Sequence, residues 1–230
     1  MPGFTDICSM HILLVSATAR EITQTSEWLR LHSNSTEQLV TGVGQLQTAF
    51  HLLKKIYTHR PAFIIQAGIG GSSNPEDMGK VFSIYSEKLA DLGVEEQKHF
   101  KSIFDLGLGE PDIFPFRNGV LVNPYARVIE WSDFTLREGI TVNEISTDLS
   151  RVNSLKQRSR PVVESMEGAV LHYVCLMEKI PFLQIRSISN VLGDRDKTRW
   201  KLDEAIANLN VALIGLIQKL ETIDETLFRI

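Results

Sequence analysis

Two segments in the last third of the chain combine residue types that could do chemistry. Residues 163–169 read VESMEGA, so Glu167 stands between a methionine and a glycine, where a short predicted strand leads into a helix. Residues 186–190 read RSISN and place Arg186 and Asn190 around the end of another predicted strand. A carboxylate can accept hydrogen bonds or a proton, a guanidinium can pair with it, and an amide offers both donors and acceptors. An early glutamate also stabilises a helix N-terminus, which is the structural alternative for Glu167.

Glycine-rich or polar residues also follow three predicted strands. They are residues 42–44 (GVG), 68–73 (GIGGSS) and 187–190 (SISN). In open α/β sheets, ligands bind at the carboxyl ends of the strands, and glycine lets the backbone approach a ligand closely. For any one of these segments, a tight turn from strand to helix is the simpler interpretation. Neither glycine segment matches a dinucleotide-binding or P-loop motif, so those chemistries are weakly supported.

The elements that must position these residues alternate between strands and helices. Short apolar runs predict buried strands, and amphipathic stretches predict the helices that cover them. The predicted strands are residues 11–16, 38–43, 62–67, 79–86, 140–145, 162–164 and 182–188. The predicted helices are residues 19–31, 44–57, 167–178 and 201–220. This order predicts an α/β fold in which helices cover a mostly parallel or mixed sheet.

Residues 91–131 interrupt the alternating pattern and are punctuated by glycine and proline. Such a stretch inside a compact domain is usually functional or a local insertion. We therefore expect residues 10–230 to form a single α/β domain with an irregular insertion at about 91–131. Residues 1–9 carry no positive charge, and we interpret them as an N-terminal extension rather than a secretory signal.

Composition excludes several other classes of protein. The 230 residues carry a formal net charge of −4, which gives no broad attraction to nucleic acid. No apolar run approaches the roughly 20 residues that span a membrane. Two cysteines do not make a disulfide scaffold, which favours a cytoplasmic protein. The six histidines show no zinc-binding spacing, and we expect neither a metal nor another cofactor.

The order of the motifs resembles that of the nucleoside phosphorylase/nucleosidase superfamily. There, too, a Met-Glu-Gly segment precedes an Arg-x-Ile-Ser-Asp/Asn segment. Residues 15–22 (VSATAREI), 41–44 (TGVG) and 66–71 (QAGIGG) also follow the family's order, and the resemblance covers most of the chain outside about residues 91–138. It implies a three-layer phosphorylase/hydrolase-like α/β fold, in which helices flank a central mixed β-sheet.

The resemblance implies roles in cleaving a purine N-glycosidic bond, a reaction that passes through an oxocarbenium-like sugar. Glu167 would accept hydrogen bonds from the 2′- and 3′-hydroxyls of the ribose, and Met166 would pack against the sugar. Glu21 would take the proton from the attacking water. Arg186 would orient that water or the carboxylates, with a structural ion pair as its alternative. Gly68, Ile69 and Gly70 would form pocket loops, and Ser189 would support the base-binding residue.

Asn190 is where the chain departs from the methylthioadenosine nucleosidases, which carry an aspartate that protonates N7 of adenine. An asparagine does not ionise, but its amide offers a donor and an acceptor at once. That pair suits a 6-oxopurine, with the amide NH₂ on O6 and the carbonyl on a protonated N7. The inosine and guanosine phosphorylases are similar in using asparagine here, so the resemblance implies hypoxanthine as the leaving base.

The sequence favours water over phosphate as the nucleophile. Residues 42–44 and 68–71 carry no basic side chain, and Arg20 alone is thin support for a phosphate site. Within the superfamily, residues 186–200 are similar to the futalosine hydrolases. This resemblance implies hydrolysis of futalosine in the futalosine route to menaquinone, with release of hypoxanthine. The alternatives are a 6-oxopurine nucleoside phosphorylase, an adenine-releasing nucleosidase for methylthioadenosine or aminofutalosine, and a non-catalytic nucleoside-binding module.

Several details of the site stay open. Ile69 stands where related nucleosidases have a serine, so Ser72 or no residue fills that role. Asp194 or Asp196 could supply the proton that Asn190 cannot, although turn and capping positions explain both aspartates. Futalosine carries a carboxylated aromatic tail that a cation could pair with. The candidate cations are Arg117, Arg127, Arg195, Lys197 and Arg199.

Two expectations concern how the pocket closes. Residues 104–116 could fold over the substrate's tail. Many relatives form oligomers whose partner subunit helps to close the pocket, so the resemblance implies a homo-oligomer, and we expect a dimer.

Overall fold

The structure is a computed structural model that describes residues 10–33, 35–97, 99–156, 161–221 and 223. The predicted N-terminal extension, residues 1–9, lies outside these residues. The strands are β1 (Ile12–Ser16), β2 (Thr36–Val40), β3 (Phe63–Ser72), β4 (Val81–Leu89), β5 (Gly93–Glu96), β6 (His99–Ser102), β7 (Phe116–Arg117), β8 (Val120–Val122), β9 (Leu136–Thr141), β10 (Val162–Ser165) and β11 (Phe182–Val191). The helices are α1 (Thr23–His32), α2 (Gln45–Thr58), α3 (Ala126–Ser132), α4 (Leu149–Lys156), α5 (Gly168–Glu178) and α6 (Leu202–Leu220).

A mixed sheet of nine strands forms the centre, and β11 closes part of it into a ring. The sheet runs in the order β2-β1-β3-β10-β9-β4-β8-β7. β11 pairs in parallel with β3 and antiparallel with β4. Because β10 and β9 connect β3 to β4 on the other side, the strands β3, β10, β9, β4 and β11 form a closed ring.

Helices cover this sheet and confirm the predicted fold class. All five residues of β1 are buried, as expected for a strand covered on both faces. α1 packs against α6, α2 packs against α5, and α6 also contacts β3 and β11. Within the described part of the chain, no helix has both the length and the apolar character needed to cross a membrane.

Two of the strands that carry site residues, β3 and β11, continue well past the ends that the sequence predicts. Gly68, Ile69 and Gly70, which we expected in loops, lie inside β3, and Asn190 lies inside β11. The last residues of β3 and β11 pair with each other, and β10 pairs antiparallel with the end of β3. These partners, distant in sequence, complete the backbone hydrogen bonds, so the glycines do not end the strand.

The start of α2 follows a turn that the glycines require. β2 ends at Val40, earlier than predicted, and Gly42 and Gly44 follow with φ angles of +87° and +92°. Residues other than glycine rarely adopt these angles, and they do not continue a strand. The turn brings the backbone N–H of Gly44 toward the centre of the molecule, where it binds a site residue described below.

The segment 91–131, expected to be irregular, contains regular elements. β5 and β6 form a hairpin, and β7 and β8 extend the edge of the main sheet beside β4. The ring of Phe116 packs against Tyr173 of α5, with 6.0 Å between the ring centroids. The second half of the segment therefore belongs to the sheet and packs against α5.

Candidate active site

A cavity of about 350 Å³ opens at the carboxyl ends of β1, β3, β10 and β11. Most of the predicted site residues line it: Glu21, Ile69, Gly70, Met166, Glu167, Ser189 and Asn190. Arg186 and Gly68 do not line the cavity. The structure therefore brings together residues from four separate segments of the chain at the sheet edge where α/β proteins bind ligands.

Three hydrogen-bond donors hold Glu21 at the cavity wall. The residue lies in the 3₁₀ turn Ala19–Ile22, directly after β1. Its Oε2 accepts hydrogen bonds from the backbone N–H and the hydroxyl of Thr18, both at 2.9 Å. Its Oε1 accepts one from the backbone N–H of Ile69 at 3.0 Å. A carboxylate has about four acceptor sites, so one remains for a water molecule in the cavity.

Ile69 contacts Glu21 through its backbone, at the position where related nucleosidases have a serine. Its backbone N–H, rather than a side-chain hydroxyl, contacts Glu21. Ser72 does not replace the serine, because its buried hydroxyl donates to Asp77 Oδ2 at 2.8 Å. The contact to the carboxylate therefore does not depend on the side chain at position 69.

A buried asparagine on α6, which we did not predict, fixes the turn that carries Glu21. Asn210 Nδ2 donates to the backbone oxygen of Glu21 at 2.9 Å. Asn210 Oδ1 accepts hydrogen bonds from the backbone N–H and the hydroxyl of Thr25, at 2.8 and 2.7 Å. The sequence signal was a polar residue on the apolar face of the last helix, between Leu209 and Leu213.

Glu167 faces the cavity instead of capping its own helix. It occupies the N-cap position of α5, but its side chain makes no capping hydrogen bond. Oε1 accepts a hydrogen bond from the backbone N–H of Gly44 at 3.0 Å, and Oε2 lies 3.6 Å from Arg186 Nη2. Two other segments therefore hold the carboxylate, and its charge still lies at the N-terminus of α5, where the helix dipole favours it.

Arg186 lies beneath the cavity, between the two carboxylates. It is 1% exposed, and its Nη2 donates to Gln66 Oε1 at 3.0 Å. A Cβ at Gly68 would overlap Arg186 Nη1 and lie 2.9 Å from Glu21 Oε1, so both groups approach the chain where there is no side chain. Because Arg186 does not line the cavity and its described carboxylate contact is with Glu167, its position suits a role in orienting Glu167 rather than the water.

A break in the pairing of β11 with β3 directs Asn190 into the cavity. The register shifts between Ile188 and Asn190, and such bulges re-aim side chains. The hydroxyl of Ser189 donates to Asn190 Oδ1 at 3.0 Å, while Nδ2 donates to the oxygen of Val191 at 3.3 Å. An amide has two donor hydrogens and two acceptor sites, so one of each remains for a base.

The two aspartates after Asn190 are engaged elsewhere. Asp194 Oδ1 accepts a hydrogen bond from Arg199 Nη2 at 2.6 Å, and this contact lowers the pKa of Asp194. Asp196 caps the 3₁₀ turn Lys197–Arg199 by accepting from the backbone N–H of Thr198. Neither aspartate lines the cavity, so both act as turn and capping residues in this structure.

A possible metal-binding group lies at the opposite ends of the strands. Among the described residues, His11, Glu37 and His59 bring three ligand atoms within 4.8 Å of one another. Lys55 also pairs with the Glu37 carboxylate, so a cation is already present there. His11 precedes β1 and His59 precedes β3, which places the group away from the cavity.

A fully buried carboxyl beneath the first turn of α5 was not predicted. Glu87 of β4 accepts hydrogen bonds from Gln184 Nε2 at 2.8 Å and from the hydroxyl of Thr141 at 2.9 Å. The Thr141 oxygen accepts one from the backbone N–H of Ala169 at 2.7 Å. A side chain at Gly168 would overlap the Glu87 carboxyl. The glycine of the MEG motif thus makes room for the group that holds the start of α5.

Burial raises the pKa of Glu87 from 4.5 to about 7, opposed by its hydrogen bonds and by Arg186. Because the folded state binds this proton more tightly than the unfolded chain, the stability present below pH 4.5 is lost as the pH rises through 7. Between pH 4.5 and 7, the free energy of unfolding should decrease more for the native protein than for Glu87→Gln. We expect the two decreases to differ by about 3 kcal/mol. Denaturant unfolding from pH 5 to 8 measures the difference, and parallel curves for the two proteins would contradict it.

The free energy of unfolding of Glu87→Gln is compared with that of the native protein because other buried groups also titrate. Burial lowers the pKa of His172 to about 3, so this residue also changes stability with pH. His172 is present in both proteins, and its contribution largely cancels in the difference.

Comparison with known proteins relates this chain to proteins of known function. No model of a known protein family matches the chain. It is 31% identical to the futalosine hydrolase of Streptomyces coelicolor over 161 residues, which are 69% of this chain and 66% of that protein. It is 27% identical to the futalosine hydrolase of Thermus thermophilus over 194 residues, which are 83% of this chain and 84% of that protein.

A solved structure supports the fold assignment. The 5′-methylthioadenosine/S-adenosylhomocysteine nucleosidase of Colwellia psychrerythraea in complex with adenine superposes with a TM-score of 0.75 and 15% identity. The match covers 92% of this chain and 96% of that one. This superposition shows a shared fold. The sequence relatives show that the chain is a homologue of the futalosine hydrolases and belongs with them to the nucleosidase family of N-glycosyl hydrolases.

Proposed function

We propose that this protein hydrolyses the N-glycosidic bond of futalosine and releases hypoxanthine and dehypoxanthine futalosine. The observation that carries the proposal is the amide of Asn190, which faces the cavity with one donor and one acceptor unused. The names of the sequence relatives point to the same substrate. The reaction would place the enzyme in the futalosine route to menaquinone, in the cytoplasm.

One carboxylate binds the sugar, and the other activates the water. Glu167 accepts hydrogen bonds from the 2′- and 3′-hydroxyls of the ribose, and Met166 packs against the sugar. Glu21 takes a proton from the water that attacks C1′, while the C1′–N9 bond breaks and its electrons pass to the base. The negative charges of both carboxylates stabilise the oxocarbenium-like transition state.

The base leaves with the help of Asn190. Its free N–H donates to O6 of the purine, and its carbonyl accepts a hydrogen bond from N7 once a solvent water has protonated that nitrogen. Glu21 then returns the proton of the attacking water to solvent, so the protons balance. Two contacts orient the amide: the Ser189 hydroxyl, which is also within reach of the Gly70 backbone oxygen, lies 3.0 Å from Oδ1, and Nδ2 donates to the backbone oxygen of Val191. A 6-aminopurine would place its amino group against the amide N–H, so donor would meet donor. This mismatch disfavours the adenine-releasing alternative.

Water rather than phosphate is the proposed nucleophile. Among the described residues, Arg20 and Arg195 are the cations that line the cavity, and Arg20 pairs with Asp203 at 2.9 Å. A phosphate dianion needs several converging donors or cations, and Glu21 and Glu167 would repel it.

An assay of base release tests the proposal against its alternatives. Futalosine, aminofutalosine, inosine and methylthioadenosine are incubated with the protein, with and without phosphate, and the released base is identified by chromatography. We expect hypoxanthine from futalosine at a rate that phosphate does not change. Phosphate-dependent release would identify a phosphorylase, and preferential adenine release would refute the role given to Asn190. Binding without release would identify a nucleoside-binding module.

We also propose that the protein forms a homodimer through α2 and α5. These helices expose Phe50, Tyr57, Tyr173 and Met177 beside a second cavity of about 350 Å³ with an almost wholly apolar lining. A contiguous apolar surface of this kind is typical of a protein interface. Residues 104–116, which the sequence offered as a cover for the substrate's tail, do not line the candidate active site and expose further apolar side chains.

Light scattering after size-exclusion chromatography tests the dimer. We expect a mass of two chains for the native protein and of one chain for Phe50→Glu, because a buried unpaired charge is strongly unfavourable at an apolar interface. Leu31→Glu on α1, an equally exposed apolar position, is the control and should stay dimeric. A native monomer would contradict the proposal.

A further inference from the structure

One wall of the active-site cavity has no task in the proposed chemistry. Arg195, Trp200 and Leu202, which we call the outer wall, line the cavity together with the catalytic candidates. The Arg195 guanidinium carbon lies 5.4 Å from the centre of the Trp200 ring, a cation–π arrangement. The indole N–H donates to the backbone oxygen of Asp194 at 2.9 Å, which fixes the orientation of the ring.

The charge of Arg195 has no carboxylate partner within 4.0 Å in the part of the chain that the structure describes. The neighbouring cations differ in this respect, since Arg20 pairs with Asp203 and Arg199 pairs with Asp194. The carboxylates of the cavity, in turn, accept from other donors. Arg195 is therefore an exposed cation without a described carboxylate partner, stacked on the Trp200 ring at the candidate active-site cavity.

We propose that Arg195, supported by Trp200, selects nucleosides whose 5′ substituent is a flat group that carries a carboxylate. The guanidinium pairs with the carboxylate, and the indole and Leu202 pack against the flat group. The inference rests on the proposed function, because futalosine carries a carboxylated aromatic tail and inosine does not. Of the five cations that the sequence offered as partners for the substrate carboxylate, the inference selects Arg195. Lys197, Arg117 and Arg127 do not line the cavity, and Arg199 is already paired.

Comparing futalosine with inosine tests the selection, since the two substrates share the base and the ribose. In Arg195→Gln, we expect the ratio of kcat/KM for futalosine to that for inosine to fall about tenfold to a hundredfold, the range for losing a charge-assisted hydrogen bond. Arg195→Lys keeps the charge and should recover part of the ratio. Lys197→Gln, which removes a cation from the same segment but outside the cavity, should leave the ratio unchanged. An unchanged ratio in Arg195→Gln overturns the inference.

Calorimetry separates this inference from the proposed function. Binding of both nucleosides is measured in the Glu21→Gln background, where turnover is expected to fall at least about a hundredfold. A selective loss of futalosine affinity on adding Arg195→Gln supports the inference even if the native enzyme does not cleave futalosine, a result that would reject only the proposed function. An equal loss for both nucleosides, or none, overturns the inference even if futalosine is cleaved.

Discussion

Glu21→Gln is expected to lower kcat for futalosine about a hundredfold to ten-thousandfold and to change substrate affinity little. General-base catalysis contributes about 10²–10⁴-fold, and an amide cannot take the proton of the attacking water. The loss of activity should be specific to Glu21, because the hydrogen bonds from Thr18 and Ile69 hold its carboxylate in one orientation. Single-turnover kinetics measure the chemical step, and calorimetry measures binding.

The variant needs a check of folding, since its new NH₂ group faces one of the donors that now bind the carboxylate. Leaving such a pair unsatisfied costs about 1–3 kcal/mol, so thermal unfolding should show a folded but less stable protein. Glu27→Gln removes a carboxylate from the exposed face of α1 and serves as the matched control, with native kinetics. Activity above a tenth of the native value in Glu21→Gln would refute the assigned base.

Asn190→Asp is expected to reverse the choice of leaving base. The ratio of kcat/KM for futalosine to that for aminofutalosine should fall at least about a hundredfold. These substrates differ only in the group at C6, and a site built around a polar pair rejects the wrong partner strongly. An ionised aspartate only accepts, so it repels O6 of hypoxanthine, whereas a protonated one can donate to N7 of adenine.

Ser189→Ala is the graded control for this prediction. It keeps the amide of Asn190 but removes the hydroxyl that donates to Oδ1, so the amide can turn over. The selectivity should fall by less than tenfold, the effect of one neutral hydrogen bond. If Asn190→Asp kept the native preference, the base would be read by another group.

Local patterns were sufficient to predict much of the fold. The apolar runs at residues 11–16, 62–67 and 182–188 lie in β1, β3 and β11, and the amphipathic stretch at 44–57 lies in α2. These patterns depend on neighbours in sequence, which a single chain displays directly. The strand ends did not follow local rules, because the end of β3 is completed by β10 and β11, about a hundred residues away along the chain.

The candidate site divides in the same way. The motifs were sufficient to propose Glu21, Glu167 and Asn190, because their order carries the resemblance to a known family and is visible without a structure. The groups that hold them were not predicted. The N–H of Gly44 and the buried Asn210 contact these residues from 123 and 189 positions away. A backbone N–H also carries no residue-type signal, so no sequence pattern could have identified the contact between Gly44 and Glu167.

The sequence by itself determined the α/β order and the chemical groups available, because these follow from residue types and short-range periodicity. The order of its motifs also carried the family resemblance that implied a glycosidic cleavage. Only the tertiary structure decided what each group does. It placed Arg186 next to the Glu167 carboxylate and buried the Glu87 carboxyl against Gly168. It also placed Arg195 at the cavity wall, where this cation has no described carboxylate partner. The physical reason is that burial, hydrogen bonding and charge compensation depend on distances between segments far apart in the chain.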